Sequence, residues 1–235
     1  MLTLLTYAEA FGEPSGSPFC VKAMALMNLA NADWVRKDIE NPSKFPTGKL
    51  PILDDGGRLI PDSDGIRRHL ETAHGVTFDG ELSPASQALS HALQRMLEEH
   101  FYFVLLKDRW EGPAWPHIRA VYFNGVPGVL RPIVSGMVRK SVMRNVAGQG
   151  IGRMEPAAAL ERAGRDLDAV EKVLGDGAFL LGDAPSAVDC TVGPMLRAAL
   201  GTPVDTPLKA LVAERADLVA YAARVADRLY PKANA

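Results

Sequence analysis

The sequence predicts an α/β half followed by an all-α half. Short apolar runs alternate with capped helical segments over residues 1–75, whereas the rest of the chain shows helical periodicity. A polar, glycine-containing stretch at residues 75–83 separates the two and is typical of a linker. We therefore expect one domain over residues 1–75 and a second, all-helical domain over residues 84–235.

The strands of the first half are predicted from short apolar runs. Leu2–Tyr7 reads as a buried strand, and Trp34–Ile39 is a second candidate. Two further apolar runs flank Asp55-Gly56-Gly57, which indicates a β-hairpin. The expected order of elements is therefore β-α-β, a loop, and then β-β-α.

The helices of the first half are predicted from the capping residues at their N-termini. Ser17 suits an N-cap and Pro18 the first helical position, so a helix is expected over Ser17–Asn31. A second capped helix is expected over Ser63–His74.

The second half is predicted to be helical throughout. Residues 84–110 form one apolar-periodic stretch without proline or glycine after its first position, and residues 160–174 carry an amphipathic stripe. Ser186 and Asp189 have the spacing of a capping box that opens another helix. The last helix is expected over Leu208–Tyr230.

Composition narrows the possible functions. A net charge of −2, with 47% hydrophobic and 23% charged residues, is typical of a soluble globular protein and does not favour nucleic-acid binding. No window approaches the ~18 unbroken apolar residues of a membrane span, and we expect neither a signal peptide nor a membrane tail. Two cysteines do not make a disulfide framework, so a cytoplasmic location is the simplest expectation.

Three short motifs occur at predicted element boundaries. Ser17-Pro18-Phe19-Cys20 opens a helix, Gly48-Lys49-Leu50-Pro51 opens a strand, and Asp62-Ser63 opens the next helix. A C-x-x-C at the first position would indicate a thiol–disulfide site, but the serine prevents an internal disulfide. From the residues alone, Ser17 is either a helix cap or a catalytic hydroxyl.

The order of these motifs resembles the thioredoxin-like N-terminal domain of glutathione transferases. Residues 180–189 look like the N-capping motif of that family's core C-terminal helix, so the resemblance covers nearly the whole chain. Further matches resemble the subgroup related to failed axon connections and metaxins, some members of which act without catalysis. These matches are Ala10-Phe11-Gly12, the Ser17-Pro18-Phe19 start, Arg95–His100, Arg109-Trp110 and Gly148–Arg153.

The resemblance implies a set of glutathione-binding residues. Pro51 would be cis and hold the backbone of Leu50 open for the cysteinyl group of glutathione. Asp62 would pair with the γ-glutamyl ammonium, and Ser63 with the γ-glutamyl carboxylate; the alternative for both is helix capping. Lys49, with Lys37 as a weaker candidate, would reach the glycyl carboxylate; the alternative for both lysines is an exposed surface charge.

The resemblance also implies a catalytic role for Ser17. A free thiol has a pKa of roughly 8.5, and a hydrogen bond together with a helix N-terminus favours its anion. Several transferase classes use a tyrosine near the end of the first strand, but here the loop of residues 8–16 intervenes, so Tyr7 is expected to pack in the strand. Cys20 is either a reactive thiol or a small buried residue.

A second-substrate pocket is expected between the two halves. Phe11, Tyr102 and Trp110 are its candidate lining residues, with Trp115 as a further one; the alternative for each aromatic residue is the core. From Arg119 to Arg153 the chain carries basic residues and no acidic one, and these are expected to pair with acidic residues elsewhere, or to attract anionic substrates or a membrane surface.

The expected function is conjugation of reduced glutathione to an unidentified electrophile, with homodimerisation as is usual in the family. One alternative is a non-catalytic module for protein interaction or ligand carriage. Another is a thiol transferase that depends on Cys20. No metal-ligand spacing is evident, so neither a metal nor a flavin is expected.

Overall fold

A computed structural model describes residues 1–45 and 47–230, in which we find four strands and ten α-helices. The strands are β1 (Leu2–Thr6), β2 (Trp34–Asp38), β3 (Ile52–Asp55) and β4 (Arg58–Pro61). The helices are α1 (Pro18–Leu29), α2 (Ser63–Ala73), α3 (Pro84–Met96), α4 (Tyr102–Glu111), α5 (Trp115–Tyr122), α6 (Arg131–Gln149), α7 (Pro156–Leu174), α8 (Ala187–Leu200), α9 (Pro207–Ala213) and α10 (Ala216–Leu229). The predicted fold class is confirmed, while the predicted domain end at residue 235 lies outside the described residues.

The four strands form one sheet in the order β2-β1-β3-β4. Strand β1 is parallel to β2 and antiparallel to β3, so that Leu5 is paired with both Lys37 and Ile52. The carboxyl ends of β1, β2 and β4 therefore meet the amino end of β3, and we call this the loop end of the sheet. The opposite end, which carries the β3–β4 turn, is the hairpin end.

Helix α1 lies at the centre of the molecule. Most of its side chains are buried, as expected for a helix that is apolar on all sides. It packs against the sheet on one side and against α8 of the helical half on the other. One hydrophobic core consequently runs through both halves, from Leu4 and Leu26 to Met195 and Tyr221.

A buried ion pair joins the two halves. Lys22 Nζ of α1 lies 2.6 Å from Glu98 Oε1, and the two side chains are only 0% and 5% exposed. Glu98 belongs to a five-residue π-helical turn, Leu97–Phe101, between α3 and α4. The apolar stretch predicted over residues 84–110 is thus helical, but it contains a π-turn that periodicity did not reveal.

Two other predictions about the helical half have different outcomes. The capping box is confirmed, because the Asp189 carboxylate accepts a 2.8 Å hydrogen bond from the backbone N–H of Ser186. The single last helix over Leu208–Tyr230 is wrong, because the chain leaves helical geometry at Arg215 and forms α9 and α10. The Arg215 guanidinium donates to the carbonyl of Leu211 and thereby satisfies one carbonyl of the broken helix.

Asp79 fastens the segment between α2 and α3 to both halves. Its carboxylate accepts hydrogen bonds from Arg67 Nη2 of α2 at 2.9 Å, from Ser90 Oγ of α3 at 2.9 Å and from the N–H of Ala187 at 3.0 Å. The Asp79 carboxylate therefore ties the predicted linker to both halves, and Gln87 of α3 adds hydrogen bonds to the carbonyls of Asp79 and Leu82.

The basic segment between Arg119 and Arg153 does not follow the expectation of acidic partners. Within the described part of the chain, none of its basic residues forms an ion pair. Arg139 instead donates to the carbonyls of Trp110 and Glu111 and lies 4.9 Å from the ring centre of Trp115. Among the described helices, none is long and apolar enough to cross a membrane.

Candidate functional site

The three motifs meet at the loop end of the sheet. The loop of residues 8–16 leads from β1 to Ser17, whereas Pro51 precedes β3 and Asp62 follows β4. The N–H of Asp62 donates to the carbonyl of Pro51 at 3.1 Å, which places the second and third motifs side by side. The pairing of β1 with β3 brings the first motif to the same end.

Ser17 occupies the N-cap position of α1, but its hydroxyl does not cap the helix. Its backbone is extended, with φ −110° and ψ 123°, and among the described residues no backbone N–H of α1 donates to its side chain. The residue is half-buried. Ser15 fixes the turn before it, because Ser15 Oγ donates to the carbonyl of Tyr7 at 2.9 Å and accepts the N–H of Ser17. The hydroxyl thus lies beside a helix N-terminus without serving as its cap.

The second motif has the backbone geometry that the resemblance implies. The Leu50–Pro51 peptide bond is cis, and both residues are buried. Lys49 is exposed next to them, and Lys37 is exposed near the carboxyl end of β2, at the same end of the sheet. Both lysine side chains can therefore reach solvent or a ligand at the loop end.

Asp62 is held in a backbone conformation that is rare for a residue with a side chain. Its φ is 72° and its ψ 142°, and such conformations cost about 1–3 kcal/mol and are concentrated at functional sites. Asp62 Oδ1 caps α2 by accepting the N–H of Asp64 at 2.8 Å. The capping role is thus present, and among the described residues it leaves the second carboxylate oxygen of this exposed residue for another contact. Ser63 is buried as the first residue of α2.

The reactive-thiol hypothesis for Cys20 does not agree with its surroundings. Cys20 is completely buried, and burial raises the pKa of its thiol to about 11 although hydrogen bonding by Tyr7, Ser17 and Ser15 acts in the opposite direction. A thiolate is the nucleophilic form, so a thiol that ionises only at high pH is inert. Cys20 is therefore a small core residue behind Ser17.

Tyr7 packs against the core at the end of β1. Burial, together with the neighbouring Cys20 and Tyr122, raises the pKa of its phenol to about 12. Its carbonyl accepts hydrogen bonds from Ser15 Oγ and from Arg36 Nη2. Its backbone therefore helps to shape the loop, in agreement with the expectation that its side chain packs at the end of the strand.

The predicted second-substrate residues are placed differently from one another. Phe11 is half-buried on the long loop, and its ring lies 5.6 Å from the ring of Tyr122. Tyr102 is half-buried against Phe19 of α1, with ring centres 4.7 Å apart. Trp110 departs from its predicted role, because it is 7% exposed in an aromatic cluster with Trp115 and Tyr122. We call the surface that Phe11 and Tyr122 form between the two halves the wall. Trp110 packs behind Tyr122 and does not line a pocket.

Tyr122 belongs to this wall and was missed by sequence reasoning, whereas Arg109, which supports the wall, was noted only as part of the resemblance and without a role. Tyr122 Oη donates to the carbonyl of Gly16 at 2.7 Å, and its hydroxyl accepts from Arg109 Nη1 at 3.4 Å. The Arg109 guanidinium also lies 5.5 Å from the ring centre of Phe11. A Cβ at Gly16 would come within 2.8 Å of Tyr122 Cε1, so the glycine directly before Ser17 was the available sequence signal.

A second ion pair fixes the loop of residues 8–16, which carries Phe11 and leads to Ser17. Arg197 Nη2 of α8 lies 2.6 Å from Glu13 Oε1, and the Glu13 side chain is only 7% exposed. Burial raises the pKa of the Glu13 carboxyl, while the Arg197 guanidinium acts in the opposite direction. Since this loop leads directly to Ser17, the helical half positions the first motif through two contacts, that of Tyr122 with Gly16 and that of Arg197 with Glu13.

Solved structures confirm the architecture. Glutathione transferase GSTFuA2 from Phanerochaete chrysosporium superposes with a TM-score of 0.67 at 14% identity, over 98% of this chain and 99% of that one. A Methylobacterium radiotolerans glutathione S-transferase, crystallised with glutathione sulfonate, superposes with a TM-score of 0.62 at 15% identity, over 100% and 97% of the two chains. At these identities the likeness shows the fold alone.

Curated relatives match over nearly the whole chain. Isoprene-epoxide–glutathione S-transferase of Rhodococcus sp. (strain AD45) is 28% identical, over 96% of this chain and 98% of its own length. Failed axon connections of Drosophila melanogaster is 23% identical over 93% of this chain, which spans 55% of that protein. Metaxin-1 of Mus musculus is 24% identical over 98% of this chain and 76% of its own length.

Family models agree with these relatives. The model of the glutathione S-transferase N-terminal domain matches residues 18–115, and that of the glutathione S-transferase C-terminal domain matches residues 154–224. Together they cover more than two thirds of the chain, in the order in which the two halves occur. The chain therefore belongs to the glutathione S-transferase superfamily.

Proposed function

We propose that the protein binds reduced glutathione at the loop end of its sheet and transfers the glutathione sulfur to a small electrophile. The observation that carries this proposal is the position of the Ser17 hydroxyl. Its hydroxyl lies at the N-terminus of a buried helix, beside a cis-proline motif and a strained acidic residue, and it does not cap that helix. A hydroxyl so placed can donate a hydrogen bond to a thiolate.

Glutathione would be held by the other two motifs. Asp62 would pair with the γ-glutamyl ammonium through the carboxylate oxygen that does not cap α2, and Ser63 with the γ-glutamyl carboxylate at the helix N-terminus. The backbone of Leu50 would pair with the cysteinyl group. Lys49, and more weakly Lys37, would attract the glycyl carboxylate. The geometric support is the hydrogen bond between Asp62 and Pro51, which keeps the two motifs adjacent.

Ser17 would act by lowering the pKa of the bound thiol. Each pKa unit corresponds to about 1.4 kcal/mol, which a charge-assisted hydrogen bond and the positive end of α1 can supply together. At neutral pH, a decrease of one unit from a pKa of roughly 8.5 raises the thiolate fraction about eightfold. Fixing the thiolate next to a bound electrophile adds the advantage of proximity.

The electrophile would bind against the wall formed by Phe11 and Tyr122, and the buried Arg109 guanidinium would support both rings from behind. An epoxide is the class to test first, because a relative at 28% identity is named as an isoprene-epoxide transferase. The thiolate would attack one ring carbon and form a carbon–sulfur bond while the carbon–oxygen bond breaks. The released alkoxide would then take a proton from water, which gives a hydroxyalkyl thioether.

The test combines calorimetric titration of glutathione with the pH dependence of epoxide conjugation. We expect saturable binding by the wild-type protein. Ser17→Ala should bind glutathione within a few-fold of wild type, but its kcat/KM should fall about tenfold or more at pH 6.5. The deficit should shrink at pH 9.5, where the thiol ionises without help.

Cys20→Ser is the matched control, since it alters the neighbouring side chain and should leave conjugation nearly unchanged. Failure of the folded wild-type protein to bind millimolar glutathione would reject the proposal and favour a non-catalytic module. Disulfide exchange that survives Ser17→Ala and disappears in Cys20→Ser would instead favour a thiol transferase.

A further inference from the structure

We propose that Asp55, His69 and His74 form a binding site for a divalent transition metal of the zinc type at the hairpin end of the sheet. The three side chains come from two elements and converge on one point. The site is separate from the proposed glutathione site, and its role does not depend on transferase activity.

Local structure places the three residues. Asp55 is the last residue of β3, and the turn after it is held by a 2.7 Å hydrogen bond from the N–H of Gly57 to Asp54 Oδ1. His69 lies on the buried face of α2, and His74 is the C-cap residue of that helix. Since α2 runs back along the sheet from the loop end, its last turn lies over the β3–β4 turn.

The geometry is close to that of a metal site. His69 Nε2 and His74 Nε2 lie 2.8 and 2.9 Å from the same atom, Asp55 Oδ2, and all three atoms lie within 4.8 Å of one another. The imidazole rings are 5.4 Å apart at 70°, so they approach from different directions. Ligand atoms at 2.0–2.1 Å from a tetrahedral zinc are about 3.3 Å apart, so each nitrogen would need to move about half an ångström away from Asp55 Oδ2. The two nitrogens, which lie no more than 4.8 Å apart, would also need to settle at about that separation.

Burial supports a preformed site with an entrance. The His69 side chain is 7% exposed and therefore fixed by its packing, whereas His74 is 36% and Asp55 32% exposed. An ion can thus arrive from solvent on the side of His74 and Asp55, while His69 supplies a rigid ligand from the core side.

The donor set indicates the class of metal. Two imidazole nitrogens and one carboxylate suit zinc and its neighbours among the divalent transition metals, whereas Mg²⁺ and Ca²⁺ prefer oxygen ligands and Cu(I) prefers sulfur. Three protein ligands leave at least one coordination position for water. The two cysteines, Cys20 and Cys190, are buried in the core and are not among the ligands.

A metal here would act on stability. It would tie the β3–β4 turn to the end of α2, directly before the segment that leads to the helical half. Because α2 has eleven residues, its last turn lies about 16 Å from Asp62 at its start. The bound ion would therefore stabilise the first half without contacting the proposed glutathione site.

The experiment uses the full chain, free of any affinity tag and stripped of metal with a chelator. Zn²⁺ titration by calorimetry should show one tight site, and Co²⁺ should give a visible absorption band from the same site. His74→Gln should weaken zinc binding at least tenfold and abolish the cobalt band. His91→Gln, which alters an exposed histidine on α3, should leave both unchanged.

Thermal unfolding adds a second readout that does not depend on the first. Zinc at a hundredfold excess over its Kd should raise the Tm of the wild-type protein by about 5 °C or more, and that of His74→Gln hardly at all. Asp55→Asn should also weaken zinc binding. Absence of tight zinc binding by the wild-type chain, or equal binding by His74→Gln and His91→Gln, would overturn the proposal.

Discussion

The two ends of the sheet share its strands and helix α2, yet they differ in how their candidate site residues are brought together. At the loop end, three motifs that are each continuous in sequence meet, and the helical half supports them through the contacts of Tyr122 with Gly16 and of Arg197 with Glu13. At the hairpin end, three single residues converge within the first half alone. A continuous motif is visible in the sequence, whereas such a convergence is created only by folding.

The difference also concerns what each end depends on. The residues at the loop end are held in position by packing between the two halves. That interface includes the buried Lys22–Glu98 ion pair. At the hairpin end, His69 and His74 join α2 to β3 through hydrogen bonds to the partly exposed carboxylate of Asp55. Damage to the interface between the halves should therefore affect the whole molecule, whereas damage at the hairpin end should remain local.

The largest effect is expected from Glu98→Gln. This change leaves the Lys22 ammonium completely buried without its counter-ion, and breaking a buried pair in this way costs about 3–5 kcal/mol. Chemical denaturation should show the loss as a lower midpoint. Glu99→Gln, at the exposed neighbouring position, should leave the free energy of unfolding nearly unchanged.

His74→Gln in the absence of metal extends this test to the hairpin end, where we expect a much smaller loss of stability than from Glu98→Gln. Comparable losses from the two changes would contradict the distinction between a loop end that depends on both halves and a hairpin end that does not.

A smaller effect, confined to the loop end, is expected from Asp62→Asn. Asparagine caps helices as well as aspartate does, so the free energy of unfolding should change by less than about 0.5 kcal/mol. The loss of the negative charge should nevertheless weaken glutathione binding at least tenfold, because a charge-assisted hydrogen bond is worth roughly 1.5–3 kcal/mol. Calorimetric titration beside a denaturation curve measures both quantities.

Asp64→Asn is the control for that experiment, since it removes a charge from the same helix turn without touching the cap. Equal losses of glutathione affinity in the two variants would indicate a general electrostatic effect, and not a contact made by Asp62.

The smallest effects are expected at Cys20. With a pKa of about 11, only about one Cys20 thiol in a thousand is ionised at pH 8. Iodoacetamide should therefore fail to alkylate the native protein at pH 8, but should modify both cysteines after denaturation. Mass spectrometry would detect the products, and rapid alkylation of native Cys20 would restore the reactive-thiol hypothesis.

Much of the fold was determined by local sequence. Proline and serine at helix starts, a glycine turn between apolar runs and the capping box at Ser186 each act within a few residues, so the order of strands and helices could be predicted. The positions of the three motifs at the loop end could be predicted for the same reason. The π-turn at residues 97–101 and the break at Arg215 could not, because both interrupt a periodic pattern without changing its composition.

The tertiary structure decided what surrounds each functional candidate. Complete burial, and not its place in a motif, makes Cys20 inert, and the packing of the helical half puts Trp110 behind the wall and Tyr122 against Gly16. Asp55, His69 and His74 meet only because α2 folds back over the hairpin. Sequence by itself determined which elements form and where they begin; burial and the contacts between distant elements, on which pKa values and ligand geometry depend, arise only when those elements pack.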